Sequence, residues 1–254
     1  REIVIFEANK KHTWNLGYTA LCGDEGKMCG MAVISRDITE HIRSEEVKAG
    51  YARMQESTIK DLKEKYDRLF MNSMGMLTDL LEAKDIYTDG HSKRVAEIAS
   101  KMYNHVNGFG GIYFDIQYAA KLHDIGKICV PEKIIDKPGR LTSQEFAVMK
   151  RHSSIAADIT DMLDCAGDIS RIIRHHHERF DGRGYPDGLR GKDIPEGSRV
   201  IAVADSFDAM ISDRPYRKTM TYDESVKEIQ SNSGSQFDPA WVGVFCELAQ
   251  TGSI

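Results

Sequence analysis

His123-Asp124-Ile125-Gly126-Lys127 sets an imidazole and a carboxylate on neighbouring residues, a pairing suited to divalent metals. An imidazole nitrogen suits zinc, iron, nickel or manganese, and the two oxygens of one aspartate can bridge two ions. Lys127 stands four residues after His123, so on a helical turn it shares that side and presents a point charge to any anion the metals hold. Read blandly, the same five residues are a common dipeptide followed by a helix end, with Gly126 as its stop. The rest of the chain decides between the two readings.

The chain has 254 residues, a length that suits one large domain or two small ones. Its hydrophobic share of 41% is ordinary for a globular protein. A net charge of -5 supplies no global cationic field, which argues against DNA or RNA as a partner. An anionic substrate must therefore be met by local charge or by metal. No run approaches the roughly 18 apolar residues a membrane span needs. The chain opens on Arg1 with no Met and no signal-peptide pattern, so it reads as a fragment. Cys22, Cys29, Cys129, Cys165 and Cys246 are scattered without a C-x-x-C and read as reduced thiols. The histidines are more telling: His91, His105, His123, His152 and His175 to His177 fall in or beside segments of helical pattern.

Upstream, residues 3–6 and 28–35 read as short strands, with Gly23-Asp24-Glu25-Gly26 as a turn signal between them. From Ser44 to about Ala83 there is no Pro, and charges mix with spaced apolar residues. Leu62, Tyr66, Leu69, Ser73, Met76 and Leu80 alternate by four and three, the spacing of a coiled-coil seam. Val47, Tyr51, Met54 and Thr58 follow the same alternation, with a stutter at Thr58. A polar helix this long is expected to pair with a second copy as a parallel homodimer; the competing reading packs it on its own domain.

Downstream the pattern is helical. Thr88-Asp89-Gly90-His91 opens a helix with Val95, Ile98, Ala99 and Met102 on its apolar face, and Ile116 to Leu122 leads into His123-Asp124. Leu141 to Glu145 supplies an N-cap ahead of a helix reaching His152, and Ile169 to Glu178 is read as helical. Phe180 to Gly197 is a long Gly-rich loop of the kind that usually serves function. A helix over Arg199 to Ile211 carries Asp205, Asp213 to Arg217 is a basic turn, and two last helices run near Tyr222 to Ser231 and Pro239 to Ala249.

Two resemblances now come into view. Ser35-Arg36-Asp37-Ile38-Thr39-Glu40, closing a strand and entering a charged helix, resembles the C-terminal edge of a PAS sensor domain. The ordered series His91, His123-Asp124, His152, His176-His177 and Asp205 resembles the HD superfamily of metal-dependent phosphohydrolases. His176-His177-Glu178-Arg179-Phe180-Asp181-Gly182-Arg183-Gly184-Tyr185-Pro186 is similar to the signature of its HD-GYP subfamily, and Gly234 to Pro239 matches the closing motif. The fold implied is mainly all-α: 1–43 as the C-terminal part of a PAS-like domain with a small β remnant, 44–75 as a coiled-coil signalling helix, and 76–254 as the helical phosphohydrolase domain.

The resemblance also implies the chemistry. His91, His123, Asp124 and Asp205 would hold one divalent ion and His152, His176 and His177 a second, with Asp124 bridging. Adjacent His176 and His177 diverge by about 100° on a helix, so both reach one ion only near a helix end. The mixed nitrogen and oxygen ligands suit iron or manganese and also admit zinc, nickel, cobalt or magnesium. Two such ions activate a water for in-line attack on a phosphodiester, with Asp124 and Lys127 as the catalytic pair. Lys127, Tyr185, Arg214 and Arg217 are the substrate-binding residues implied. Some members place a Glu four residues before the first His to support a third metal; here that position is Tyr87, which implies a binuclear site.

The activity implied is hydrolysis of cyclic di-GMP to linear pGpG, continuing in some members to GMP, in the bacterial cytoplasm and under control of the upstream sensor. A membrane-tethered parent and docking to other signalling proteins are compatible with it. Two other readings stand beside it: an HD-type hydrolase of another cyclic dinucleotide or nucleotide, and a silent binding or docking module. A missing ligand would favour the module, and none is missing.

Overall fold

The computed structural model describes residues 2–7, 10–22, 27–82, 90–161, 168–212 and 219–254. The turn expected at Gly23 to Gly26, the start of the helix at Thr88-Asp89, Tyr87, Cys165 and the basic turn with Arg214 and Arg217 lie outside the described residues. The chain divides into two compact units, Arg1–Tyr66 and Asp67–Ile254. Among the described residues no helix is long and apolar enough to cross a membrane.

The first unit holds an antiparallel sheet of three strands in the order β1 (Glu2–Glu7), β2 (Lys10–Cys22), β3 (Met28–Asp37). The sequence reading finds β1 and β3 but passes over β2, the longest and central strand. Its alternation of Trp14, Leu16, Tyr18 and Ala20 is regular, yet the Lys10-Lys11-His12 entry and Gly17 lower its apparent strand propensity. Tyr18 pairs with Val33 and Ala20 with Met31, so these four side chains share a face, and that face is exposed. At the sheet's end Thr39 ties three pieces together. Its Oγ accepts from Thr13 N at 2.9 Å and donates to Asp37 Oδ1 at 2.5 Å, and its N–H reaches the same carboxylate oxygen at 2.9 Å. These bonds hold the Asp37 carboxyl below its ordinary range.

Thr39 opens α1 (Thr39–Glu82), a helix of 44 residues. Val47, Tyr51, Met54, Leu62, Tyr66, Leu69, Met76 and Leu80, the apolar members of the seam, are 56–69% exposed.

The second unit is helical: α2 (His91–Asn107), α3 (Tyr113–Leu122), α4 (Glu132–Ile135), α5 (Ser143–Asp161), α6 (Ile169–Arg174), α7 (Glu196–Ile211), α8 (Tyr222–Ser231) and α9 (Pro239–Gln250). Its core interleaves Val95, Ala99 and Met102 of α2 with Ile116, Ala119 and Leu122 of α3, Ile172 and Ile173 of α6, Ile201, Ala204 and Phe207 of α7, and Phe245 of α9. All are at most 2% exposed, which makes this apolar cluster the main drive for the unit. Close packing is enforced at Gly197, where a Cβ would lie 2.7 Å from Ile172 Cδ1, so α7 starts against α6. The N-cap expected within Leu141 to Glu145 takes the form of a capping box at Thr142: Glu145 Oε2 accepts from Thr142 N at 2.7 Å, and Thr142 Oγ1 from Glu145 N at 3.3 Å.

One expectation about a helix end is revised, and the bland reading of Gly126 falls with it. Helix α6 stops at Arg174, so His175, His176 and His177 stand in a turn and not on a helix running to Glu178. Gly126 is no helix stop either; it lies inside a 3-10 turn, Ile125–Cys129, pressed against α5.

Candidate metal centre

Each side chain of the expected cluster sits where an element begins, ends or is pinned. Helix α2 starts at His91 because the Glu82 carboxylate takes the N–H of Gly90 at 2.9 Å and of Ser92 at 2.8 Å, satisfying donors its first turn would otherwise leave free. His123 closes α3, and Asp124 begins the 3-10 turn. His152 lies in α5 against that turn. Here Gly126 is required for space, since a Cβ would fall 2.0 Å from the His152 carbonyl oxygen and 2.8 Å from Ala156 N. Asp205 projects from α7. His176 and His177 follow α6 and are held by the Gly-rich loop: Tyr185 N donates to His177 O at 3.3 Å. The Glu178 carboxylate accepts from the N–H groups of Asp187 and Gly188 at 2.7 and 2.9 Å. The loop is clamped to the Gly234 to Pro239 segment by Phe180 N to Gln236 O at 3.1 Å and Asp181 N to Ser235 O at 2.8 Å.

All seven expected ligands come together. His91, His123 and Asp205 form one group, His152, His176 and His177 another, and His123, Asp124 and His176 a third, with potential ligand atoms in each within 4.8 Å of one another. Asp124 lies between the first two. Its Oδ2 is 3.5 Å from His123 Nε2 and its Oδ1 is 3.4 Å from His152 Nε2. Asp205 Oδ1 is 3.2 Å from His91 Nε2 and 4.0 Å from His123 Nε2.

The hydrogen bonds fix which nitrogens are available. Nδ1 of His123, His152 and His176 donates to the carbonyl three residues earlier, at 2.8, 2.7 and 2.6 Å. Each Nε2 is thereby left as an acceptor, and all three are buried with no hydrogen-bond partner among the described residues. Orphaned buried polar atoms are costly, and three aimed into one cluster with two carboxylates fit a cation. His91 is held differently, by Nδ1 to Asp208 Oδ2 at 2.7 Å, with Arg94 Nε on the other oxygen of Asp208 at 2.6 Å.

The protonation states suit metal ligation. Burial pushes the His152 and His176 imidazoles down, and that of His177 to about 3, so they stay neutral. Burial opposes the charge on Asp124, but the charges facing it, that of Lys127 first, outweigh it and keep the carboxyl well below its usual range. Asp205 is likewise driven down against burial, by the hydrogen bond from His91. His91 alone moves up: burial opposes its charge, and the bonds to Asp205 and Asp208 raise it to about 9. A divalent cation held by His91 would take the place of that proton.

Lys127 faces Asp124, not His123, because the 3-10 turn has an i,i+3 period; its Nζ is 2.5 Å from Asp124 Oδ2. Tyr185 lies against His177, ring centroids 4.9 Å apart. His175 stays out of the cluster, bonded to Arg171 O at 2.8 Å and Asp187 Oδ2 at 2.9 Å. Sequence reasoning missed Asp208, Arg94, Glu82 and the clamping role of Glu178. The only signal for the first two was spacing: Asp208 follows Asp205 by three on α7, and Arg94 follows His91 by three on α2.

The HD domain family model matches residues 75–241, about two thirds of the chain. The chain belongs to the HD domain family. This HD domain protein is 37% identical over 198 residues to a cyclic di-GMP phosphodiesterase of Thermotoga maritima, covering 76% of this chain and 53% of that one. It is 34% identical over 207 residues to the cyclic di-GMP phosphodiesterase response regulator RpfG of Xanthomonas campestris, covering 79% and 53%. It is also 34% identical over 193 residues to the 3'3'-cGAMP-specific phosphodiesterase 2 of Vibrio cholerae, covering 74% and 35%. The chain thus spans about half the length, or less, of these relatives. Among solved structures, a cyclic GMP-AMP-specific phosphodiesterase of Vibrio cholerae superposes with a TM-score of 0.57 at 19% identity, over 72% of this chain and 49% of that one, which shows the shared fold.

Proposed function

We propose that this chain is an HD-GYP-type cyclic dinucleotide phosphodiesterase that opens cyclic di-GMP to linear pGpG. The observation that carries the reading is the position of Asp124, one oxygen toward each histidine group, among three buried Nε2 atoms that have no hydrogen-bond partner among the described residues. His91, His123, Asp124 and Asp205 would hold one divalent ion and His152, His176 and His177 the second, with Asp124 shared. Two cations there would lower the pKa of water toward neutrality and take up charge on the phosphoryl oxygens. The protein's own part is to fix the ligands, keep Asp124 ionised through Lys127, and present that part-exposed ammonium to the phosphodiester. Arg214 and Arg217 are assigned the second phosphate, and Tyr185 a contact beside His177. Relatives bearing the name cyclic di-GMP phosphodiesterase support the substrate.

The second reading is hydrolysis of 3'3'-cyclic GMP-AMP, favoured by the Vibrio cholerae relatives with that specificity in their names. Product analysis of metal-loaded protein given each dinucleotide separately tests both. Appearance of pGpG from cyclic di-GMP supports the first; cleavage of cyclic GMP-AMP alone establishes the second; cleavage of neither refutes both.

Residues 1–43 are assigned to the end of a PAS-like sensor and 44–75 to a signalling helix that pairs in parallel with a second copy. The exposed apolar face of the sheet and the exposed heptad positions of α1 support this. Sedimentation of L62E/L69E is expected to show a monomer where the unaltered chain is a dimer; a monomer in both cases refutes the pairing.

A further inference from the structure

Beside the cluster, α5 carries two residues for which neither the fold nor the metal ligands have a use. Phe146, near the start of α5, is 46% exposed although the unit has an apolar core. Its ring stands edge-to-face on Tyr185, with centroids 6.2 Å apart at 83°. Tyr185 in turn lies on His177, at 4.9 Å and 34°. Lys150 holds its ammonium 5.3 Å from the Phe146 ring centroid and 5.8 Å from that of Tyr185. His152 is only two residues further along the same helix, so one rigid element carries both this aromatic corner and a member of the cluster. A lone exposed Phe needs no explanation. One in ring contact with the residue that covers a cluster histidine, under a shared cation, does.

We infer that Phe146 is the shelf on which a guanine base of the cyclic dinucleotide stacks, with Tyr185, at 83° to it, as the side wall and Lys150 as the donor to that base's edge. The inference rests on the substrate class proposed above. Two ring-to-ring steps, of 4.9 and 6.2 Å, separate His177 from Phe146. A ribose likewise carries its base a few ångströms from its phosphate, so a phosphodiester held at the cluster sets a base beside these rings. Aromatic side chains hold bases by stacking whatever their sequence, and the cation adds discrimination. Guanine offers O6 and N7 as two adjacent acceptors, whereas adenine offers N7 beside an amino donor. The four-carbon stem of Lys150 lets the ammonium, now over the rings, withdraw to that edge when a base takes its place. The charge-assisted bond then favours guanine over adenine.

The test uses metal-loaded protein and four forms of the chain: unaltered, F146L, F146Y and K150M. Phe146 is on the surface, so each is expected to fold. Binding is read with slowly hydrolysed phosphorothioate analogues of cyclic di-GMP and cyclic di-AMP, and turnover with the natural dinucleotides. Loss of one stacked base weakens binding by roughly 5- to 150-fold. F146L is expected to raise Kd and KM for cyclic di-GMP into that range, with a much smaller fall in kcat and unchanged metal content. F146Y is expected to restore both. K150M is expected to weaken cyclic di-GMP and leave cyclic di-AMP as it was. Unaltered Kd and KM in F146L overturn the shelf, and equal weakening of both dinucleotides in K150M overturns the guanine contact. Tight binding lost in F146L, with no turnover by the unaltered chain, keeps the shelf and overturns the hydrolase reading. No binding by the unaltered chain overturns both.

Discussion

Replacing Gly126 by alanine places a Cβ 2.0 Å from the His152 carbonyl oxygen, 2.8 Å from Ala156 N and 2.9 Å from His152 C. All three are backbone atoms of α5, so no flexible side chain can swing aside. Relief to an ordinary contact requires the 3-10 turn and α5 to part by roughly 1 to 1.5 Å. That shift acts directly on the cluster, because the turn begins with Asp124 and the facing segment of α5 is His152, now 3.4 Å from it. Metal–ligand distances tolerate only about 0.2 Å. G126A is therefore expected to lose the ion proposed for His152, His176 and His177, and turnover with it. Overpacking itself costs about 1 to 3 kcal/mol, which for a unit of this size lowers Tm by roughly 2 to 12 °C. Calorimetry, metal analysis and a turnover assay on one preparation read all three effects. G126A with the Tm, metal content and turnover of the unaltered chain refutes the argument that this glycine sets the spacing.

Asp208→Asn weakens the partner of both His91 Nδ1 and Arg94, and is expected to lower metal affinity by about 10- to 100-fold as measured by competition with a chelator, while the fold survives. Glu178→Ala removes the acceptor of two loop N–H groups and is expected to cost about 1.5 to 3 kcal/mol in urea unfolding, with weaker metal retention as the loop behind His177 loosens. Asp187, paired with Arg174 Nε at 2.8 Å, has its carboxyl lowered to about 2. Its contribution is complete above the ordinary carboxylate value and fades as pH falls toward 2. The urea midpoint of D187N is thus expected to lie below that of the unaltered chain at pH 5, with the gap narrowed by roughly half at pH 3. A gap that widens on acidification contradicts the assignment.

What could be read from the sequence follows from how local each signal is. The seven expected ligands stand in the order of the HD pattern they resemble, and the segments around them show regular apolar spacing, so the helical fold could be read from spacing and the proposed cluster from the resemblance. The supports could not. Asp208 reaches His91 across 117 positions and Glu82 meets Ser92 across a helix boundary, contacts that no local pattern encodes. Gly126 reads as a helix stop until the neighbouring helix is in place. The early end of α6 is also tertiary in origin: His175 is fastened to Asp187 and the His177 carbonyl takes the N–H of Tyr185, so the turn wins over the helical pattern of Ile169 to Glu178. In the first unit β2 was overlooked because its strand signal lies in pairing with both neighbours, not in its composition.

The central claim is that Asp124 joins two metal sites in one cluster. Metal analysis of anaerobically purified protein, with D124A and H123A beside it, tests this most directly. The account predicts close to two ions per chain, and loss of metal and of cyclic dinucleotide turnover together in both variants. A single ion per chain in the unaltered protein at full turnover, or turnover retained in D124A, would contradict it.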